Sequence, residues 1–255
     1  MTAADERPIE AEAFLTALQD QSPGALTACE GWTVHDLGAH LAGAFEEVIR
    51  HVRAYQAGSP LTSTRTFEER EPEFRALPPA RLLRAVERGE QDMRSSVTEV
   101  LATEPDAALA WTGRTMRIDA FTSHLRNECA LHRWDMLGDD ETSWRLLSRP
   151  KLLEHSIGAV GAGPLCGRGM ARDAAEGRAL SARVRSDGQQ DLLVTVDGNG
   201  PSLTLTEPGG EPTVVGDPAA RLLMLWGRTP APAVRLRTVG DHDDAIRVRR
   251  LFSGY

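Results

Sequence analysis

Asn127-Glu128-Cys129-Ala130-Leu131-His132-Arg133-Trp134-Asp135 is the stretch whose reading decides the fold. It lies in a run of helical periodicity, with Glu128 and His132 four residues apart. That spacing puts a carboxylate and an imidazole on one helix face, one turn apart. Such a pair can share a metal ion but cannot complete a site, because zinc takes at least three protein ligands. Taken alone, a Glu/His pair at this spacing is usually a solvated helix face.

Around this stretch, periodicity predicts a helix over about 116–137, carrying Ile118, Phe121, Leu125, Cys129 and Leu131 and ending near Gly138. Upstream, Phe14, Leu15 and Leu18 place a short amphipathic helix over 9–20. Thr33 with Asp36 three positions on resembles a capping box, and a helix follows to about residue 57 through Leu37, Leu41, Phe45, Val48 and Val52. Pro78-Pro79 opens another over about 79–103. Residues 58–71 read as a polar loop and 104–115 as an irregular crossover. Four helices with one long connection imply an antiparallel four-helix bundle.

The pattern changes after Gly138. Residues 139–149 read as a linker and about 149–160 as a helix, after which glycines from Gly161 to Gly169 break the chain. Strand character follows at 180–185, 191–197 and 202–206, with shorter runs at 213–215 and 234–239. Asp217-Pro218 starts one helix and Asp241 caps the last. The expected organisation is a helical domain over 1–144 and a small α+β domain over 145–255, with an antiparallel or mixed sheet.

Composition narrows the function classes. The chain has 255 residues, 41% hydrophobic and 26% charged, as in ordinary globular proteins. Its net charge of −8 argues against general nucleic-acid binding. No apolar run approaches the ~18 residues of a membrane span, and the acidic start is no secretory signal. Cys29, Cys129 and Cys166 are too few and too scattered for a disulfide framework, so a cytoplasmic setting is expected. The basic residues number 29, yet Lys151 is the one lysine, a bias that suggests GC-rich coding.

A third ligand has to come from a facing helix. Of the histidines, His35, His51, His155 and His242 read as solvated. His40 differs, because it lies beside the apolar stripe of Leu37 and Leu41. A lone histidine on such a face is more often a hydrogen-bonded core residue. Together, His40, Glu128 and His132 make a His2Glu set that suits Zn²⁺ with one position open, the pattern of a catalytic site. His124, one turn before Glu128, is a candidate fourth ligand or substrate-facing base. Asp135 is a candidate partner for a ligand histidine, and Asp36 reads as a cap. Cys129 points roughly 100° from Glu128 and reads as core, and Cys29 reads as structural.

Two of these stretches carry a resemblance. Cys29-Glu30-Gly31-Trp32-Thr33-Val34-His35-Asp36-Leu37-Gly38-Ala39-His40-Leu41-Ala42-Gly43 and Glu128-Cys129-Ala130-Leu131-His132-Arg133-Trp134-Asp135 resemble motifs of the mycothiol-dependent maleylpyruvate isomerase family, within the DinB-like metal-binding bundles. Gly216-Asp217-Pro218 and Leu225-Trp226-Gly227-Arg228 resemble landmarks of its C-terminal, sterol-carrier-like domain.

The resemblance implies that His40, Glu128 and His132 hold a divalent metal, Zn²⁺ foremost, and that mycothiol is the cosubstrate. This is the thiol of GC-rich actinobacteria. A thiol of pKa ~8.5 is mostly protonated at neutral pH, and zinc makes it a thiolate. The expected reaction is attack on an electrophilic small molecule, as cis–trans isomerisation or S-transfer. Arg228 is the expected substrate contact. Arg126 and Arg133, which flank the metal face, are candidate cofactor contacts. The alternative is a non-catalytic DinB-like metal-binding, ligand-binding or regulatory protein. The residues leave the oligomeric state and the electrophile open.

Overall fold

Thr33 starts the longest-range organisation of the helical half. Its side chain accepts the Asp36 backbone N–H while Asp36 reaches back to the Thr33 N–H at 2.8 Å, a full capping box. Helix α2 (Val34–Gln56) follows and buries Leu37, Leu41, Phe45, Val48 and Val52 on one stripe. Burying each such side chain contributes roughly 1.5–3 kcal/mol. That stripe meets α5 (Pro79–Thr103) and α6 (Ile118–Leu137), while α1 (Ile9–Asp20) packs on α5 and α6. These four long helices form the bundle, with Phe14, Val86, Met93, Phe121 and Cys129 in its core. Glu10, fully buried on α1, is held by both Nε and Nη2 of Arg126 at 2.9 Å, an ion pair that ties α1 to α6.

The computed structural model describes residues 6–161, 179–198, 200–230 and 235–252. It divides into two compact units, Met1–Ser143 and Trp144–Tyr255. Cys166 and the glycine-rich break expected after Gly161 lie outside the described residues.

Three segments are more ordered than their sequence suggests. The expected loop over 58–71 contains α3 (Phe67–Arg70), and α4 (Pro72–Arg75) follows it. The expected crossover over 104–115 holds an antiparallel hairpin of β1 (Ala108–Trp111) and β2 (Arg114–Arg117). Its two-residue turn puts Thr112 at φ 46° and Gly113 at φ 80°, the left-handed pair that suits tight hairpins. The expected linker over 139–149 contains α7 (Glu141–Leu147).

The second unit is α+β. After α8 (Pro150–Gly161), β3 (Leu180–Arg185), β4 (Asp191–Asp197), β5 (Gly200–Thr206), β6 (Val214–Gly216) and β7 (Leu236–Thr238) form one sheet in the order β5-β4-β3-β6-β7. β3 and β6 run parallel and the other neighbours antiparallel, so the sheet is mixed. Leu180, Ala182 and Val184 alternate on the buried face, as period-two strands require. Asp217 caps α9 (Pro218–Leu225) by accepting the Ala220 N–H at 2.9 Å. Asp241 accepts the Asp244 N–H at 3.0 Å where α10 (His242–Phe252) begins. The Trp226 indole donates to Ser156 Oγ at 2.8 Å, fixing α8 against the turn after α9. No helix among the described residues is long and apolar enough to cross a membrane.

Candidate metal centre

Helices α2 and α6 bring His40, Glu128 and His132 together, with donor atoms all within 4.8 Å of one another. His40 Nε2 lies 3.8 Å and His132 Nε2 lies 3.5 Å from the same oxygen, Glu128 Oε2. The two rings stand edge to face, centroids 5.0 Å apart. Each ring is fixed from behind. His40 Nδ1 donates to Glu71 Oε1 at 2.7 Å, and His132 Nδ1 donates to Asp135 Oδ2 at 2.9 Å. With each Nδ1 committed to a carboxylate, both Nε2 atoms are turned toward Glu128. Buried carboxylates behind ligand histidines are the usual support of a metal ion, because they set tautomer and ring orientation.

The electrostatics call for a cation. Glu71, Glu128 and Asp135 are three carboxylates around two imidazoles, all in the helical unit. Burial alone would raise the Glu128 carboxyl, but hydrogen bonds from His132 and His40 hold it well below the carboxylate range. Burial would lower His132, but Asp135, Cys29 and Glu128 drive it well above its ordinary value. Glu71 behaves alike: burial raises it, and the bond from His40 with Arg75 and Arg70 more than reverses this. Two imidazole Nε2 atoms and a carboxylate oxygen converge at a range that one divalent ion can bridge. The donor set therefore fits the metal the resemblance implies.

The walls come from elements near the ligands. The Trp32 and Phe67 rings stand 5.2 and 5.0 Å from the His40 ring, and Arg75 lies 5.2 Å over Trp32. Cys29 donates from Sγ to Asp135 Oδ2 at 3.3 Å. Cys29, His132 and Asp135 also form a compact donor group, on the far side of the His132 ring from Glu128.

The other expected site residues have different partners. Trp111, on the hairpin, donates its indole N–H to His124 Nε2 at 2.9 Å. That nitrogen is thereby occupied, and burial lowers the ring to about 4, so His124 is a neutral, positioned core group. It lies outside the compact group formed by His40, Glu128 and His132. The two arginines expected to meet the cofactor are also engaged elsewhere. Arg126 is spent on Glu10, and Arg133 grips both oxygens of Asp140 at 2.7 Å and also bonds Ser143. Arg228 belongs to the second unit, where its Nη1 donates to the Trp226 carbonyl at 2.9 Å. His51, expected in solvent, is 1% exposed beside Glu47 and Trp111.

Sequence reasoning missed Glu71 and Arg70. They sit in Glu68-Glu69-Arg70-Glu71, which looks like a solvated charge run. The available signal was Thr66 with Glu69 three residues on, a capping box that announces α3 and brings its polar residues into the structure.

Known proteins bear on this arrangement. Two solved structures, the mycothiol-dependent maleylpyruvate isomerase and a point mutant of it, share the fold. Each has a TM-score of 0.62 over 93% of this chain and 95% of the other, with 15% and 14% identity. No curated protein sequence matches. The family model for the mycothiol maleylpyruvate isomerase N-terminal domain matches residues 9–137, the span that holds all three donors and their supporting carboxylates. By that match, the chain belongs to the mycothiol-dependent maleylpyruvate isomerase family.

Proposed function

We propose that this protein is a metal-dependent enzyme in which mycothiol attacks a small electrophile, by maleylpyruvate-type cis–trans isomerisation or by S-transfer. The observation that carries the reading is the convergence of two imidazole Nε2 atoms on Glu128, each ring backed by a buried carboxylate. His40, Glu128 and His132 would hold the ion, most simply Zn²⁺, which supplies the Lewis acidity that ionises a thiol at neutral pH. Three protein ligands leave a position for that thiol.

The remaining work falls to this chain's own residues. Glu71 and Asp135 keep both rings in the tautomer that presents Nε2. Trp32 and Phe67 provide apolar surface beside the ligands and exclude water there. A neutral His124, bonded through Nε2 to Trp111, leaves no obvious protein base at that nitrogen, which agrees with chemistry driven by the thiol itself.

The test combines metal analysis with product analysis. The purified protein should contain about one divalent ion per chain, and His40→Ala and His132→Ala should lose it. Mass spectrometry after incubation with mycothiol and maleylpyruvate should show the trans isomer. An S-adduct with maleylpyruvate unconverted selects S-transfer. A metal-free protein whose His132→Ala variant behaves like wild type rejects the reading.

A further inference from the structure

Arg70 is an unusual arginine. It is 4% exposed, and among the described residues its side chain makes no hydrogen bond. Its Nε is buried without a partner, and its one ion pair, to Glu71 Oε1, is long at 3.9 Å. Leaving a buried donor unsatisfied costs about 1–3 kcal/mol, and more for a charged group. Folding does not select such an arrangement for stability alone, since an apolar side chain of similar size would avoid the penalty.

The acids around Arg70 are already engaged. Glu71 accepts from His40 and from Arg75. Glu128 faces the two ligand imidazoles. Glu47 is held by Arg50 and Arg65. These are the carboxylates whose fields reach the Arg70 guanidinium, and none of them hydrogen-bonds it.

Its position is tied to the metal centre. The guanidinium carbon lies 4.9 Å over the Phe67 ring, and that ring is 5.0 Å from His40. One turn along α2 from His40, Gly43 lets α3 approach closely. A Cβ there would meet the Arg70 carbonyl oxygen at 3.2 Å and Arg70 Cγ at 3.3 Å. The stem of Arg70 is thus clamped against the helix that supplies His40, and its buried Nε is left without a hydrogen-bond partner.

We infer that Arg70 is the substrate-anchoring residue of this site and that it receives a carboxylate of the electrophile. The inference deepens the proposed function and rests on it for the identity of the reaction. A guanidinium fork matches a carboxylate in a two-bond, planar geometry that a neutral electrophile cannot supply. The site therefore selects electrophiles with an acid group near the conjugated carbonyl.

The test uses the full-length, metal-loaded protein and two matched pairs of probes. Levulinate and its methyl ester are unreactive and report binding by calorimetry. (Z)-4-oxopent-2-enoate and its methyl ester report turnover with mycothiol. Arg70→Met should weaken levulinate binding at least about tenfold, with the methyl ester and the metal content unchanged. Its KM for the acid should rise by a similar factor, while turnover of the ester stays level. Arg70→Lys, which keeps charge and loses the fork, should fall between and carries the test if Arg70→Met does not fold. Equal losses for acid and ester, or levulinate binding that is absent from wild type or indifferent to Arg70, overturn the inference. Levulinate binding that depends on Arg70 without any thiol reaction sustains it and rejects the proposed function alone.

Discussion

Asp135 accepts the Nδ1 hydrogen of His132 at 2.9 Å, from three residues further along the same helix. The contact decides which imidazole nitrogen faces Glu128, so it should be read in metal affinity. Asp135→Ala should weaken metal binding by about 10–100-fold in a chelator competition, with helical content unchanged. Cys29→Ser keeps a donor toward Asp135 and should leave the affinity near wild type. Unaltered affinity in Asp135→Ala would remove the orienting role.

Acid should destabilise the helical unit in two windows. Burial lowers the His124 ring from 6.5 to about 4, so the unfolded chain takes up that proton first. Its stabilising contribution is complete above pH 6.5 and is lost as the pH falls toward 4. Burial would raise Glu47, but Arg50 and Arg65 hold it down at about 2, against 4.5 when unfolded. Its contribution is complete above pH 4.5 and is lost as the pH falls toward 2. Each window is worth on the order of 3 kcal/mol. Urea denaturation across pH should show both slopes, with Glu47→Gln removing the lower one only.

Gly43→Ala probes the contact between α2 and α3. The new methyl meets Arg70 and Glu71 atoms at 3.2–3.3 Å, so the α3 turn must move. Thermal unfolding should show a loss of about 1–3 kcal/mol. Metal affinity should fall with it, because Glu71 rides on the displaced segment. A variant with wild-type stability and affinity would show that the turn yields without cost.

In the second unit, Gly216 on β6 is the comparable position. A Cβ there would lie 2.8 Å from both the Arg235 carbonyl oxygen and Leu236 Cδ1. Gly216→Ala should cost about 1–3 kcal/mol by calorimetry while metal content stays unchanged, since the donor set lies wholly in the first unit.

The long elements were readable because their signals are redundant. For α1 and α5 the residue ranges expected from periodicity agree with the structure, and Thr33 with Asp36 marked the start of α2. His40 stood out by its apolar neighbours, and Glu128 with His132 by spacing. The hairpin was not readable. Its strands are four residues each, and its Thr112-Gly113 turn lacks the Asn-Gly or Asp-Gly pair that marks tight turns. The partner of Arg126 was hidden for another reason. Arg126 meets Glu10 from 116 positions away, a contact with no local trace. Glu71 lay in a run of charges, where nothing in the composition separates a buried carboxylate from a solvated one.

That Glu71 belongs to the 66–75 excursion, and not to a bundle helix, ties two equilibria together. An ion that binds only when His40 is backed by Glu71 also favours the docked form of that excursion, by mass action. Linkage is reciprocal, so the free energy of docking should appear in the binding constant of the ion. Arg65, Arg70 and Arg75 make the segment a natural tryptic target when it opens, and proteolysis with and without metal would read the coupling directly. An ion bound between His40, Glu128 and His132 would double as the fastener of the 66–75 segment.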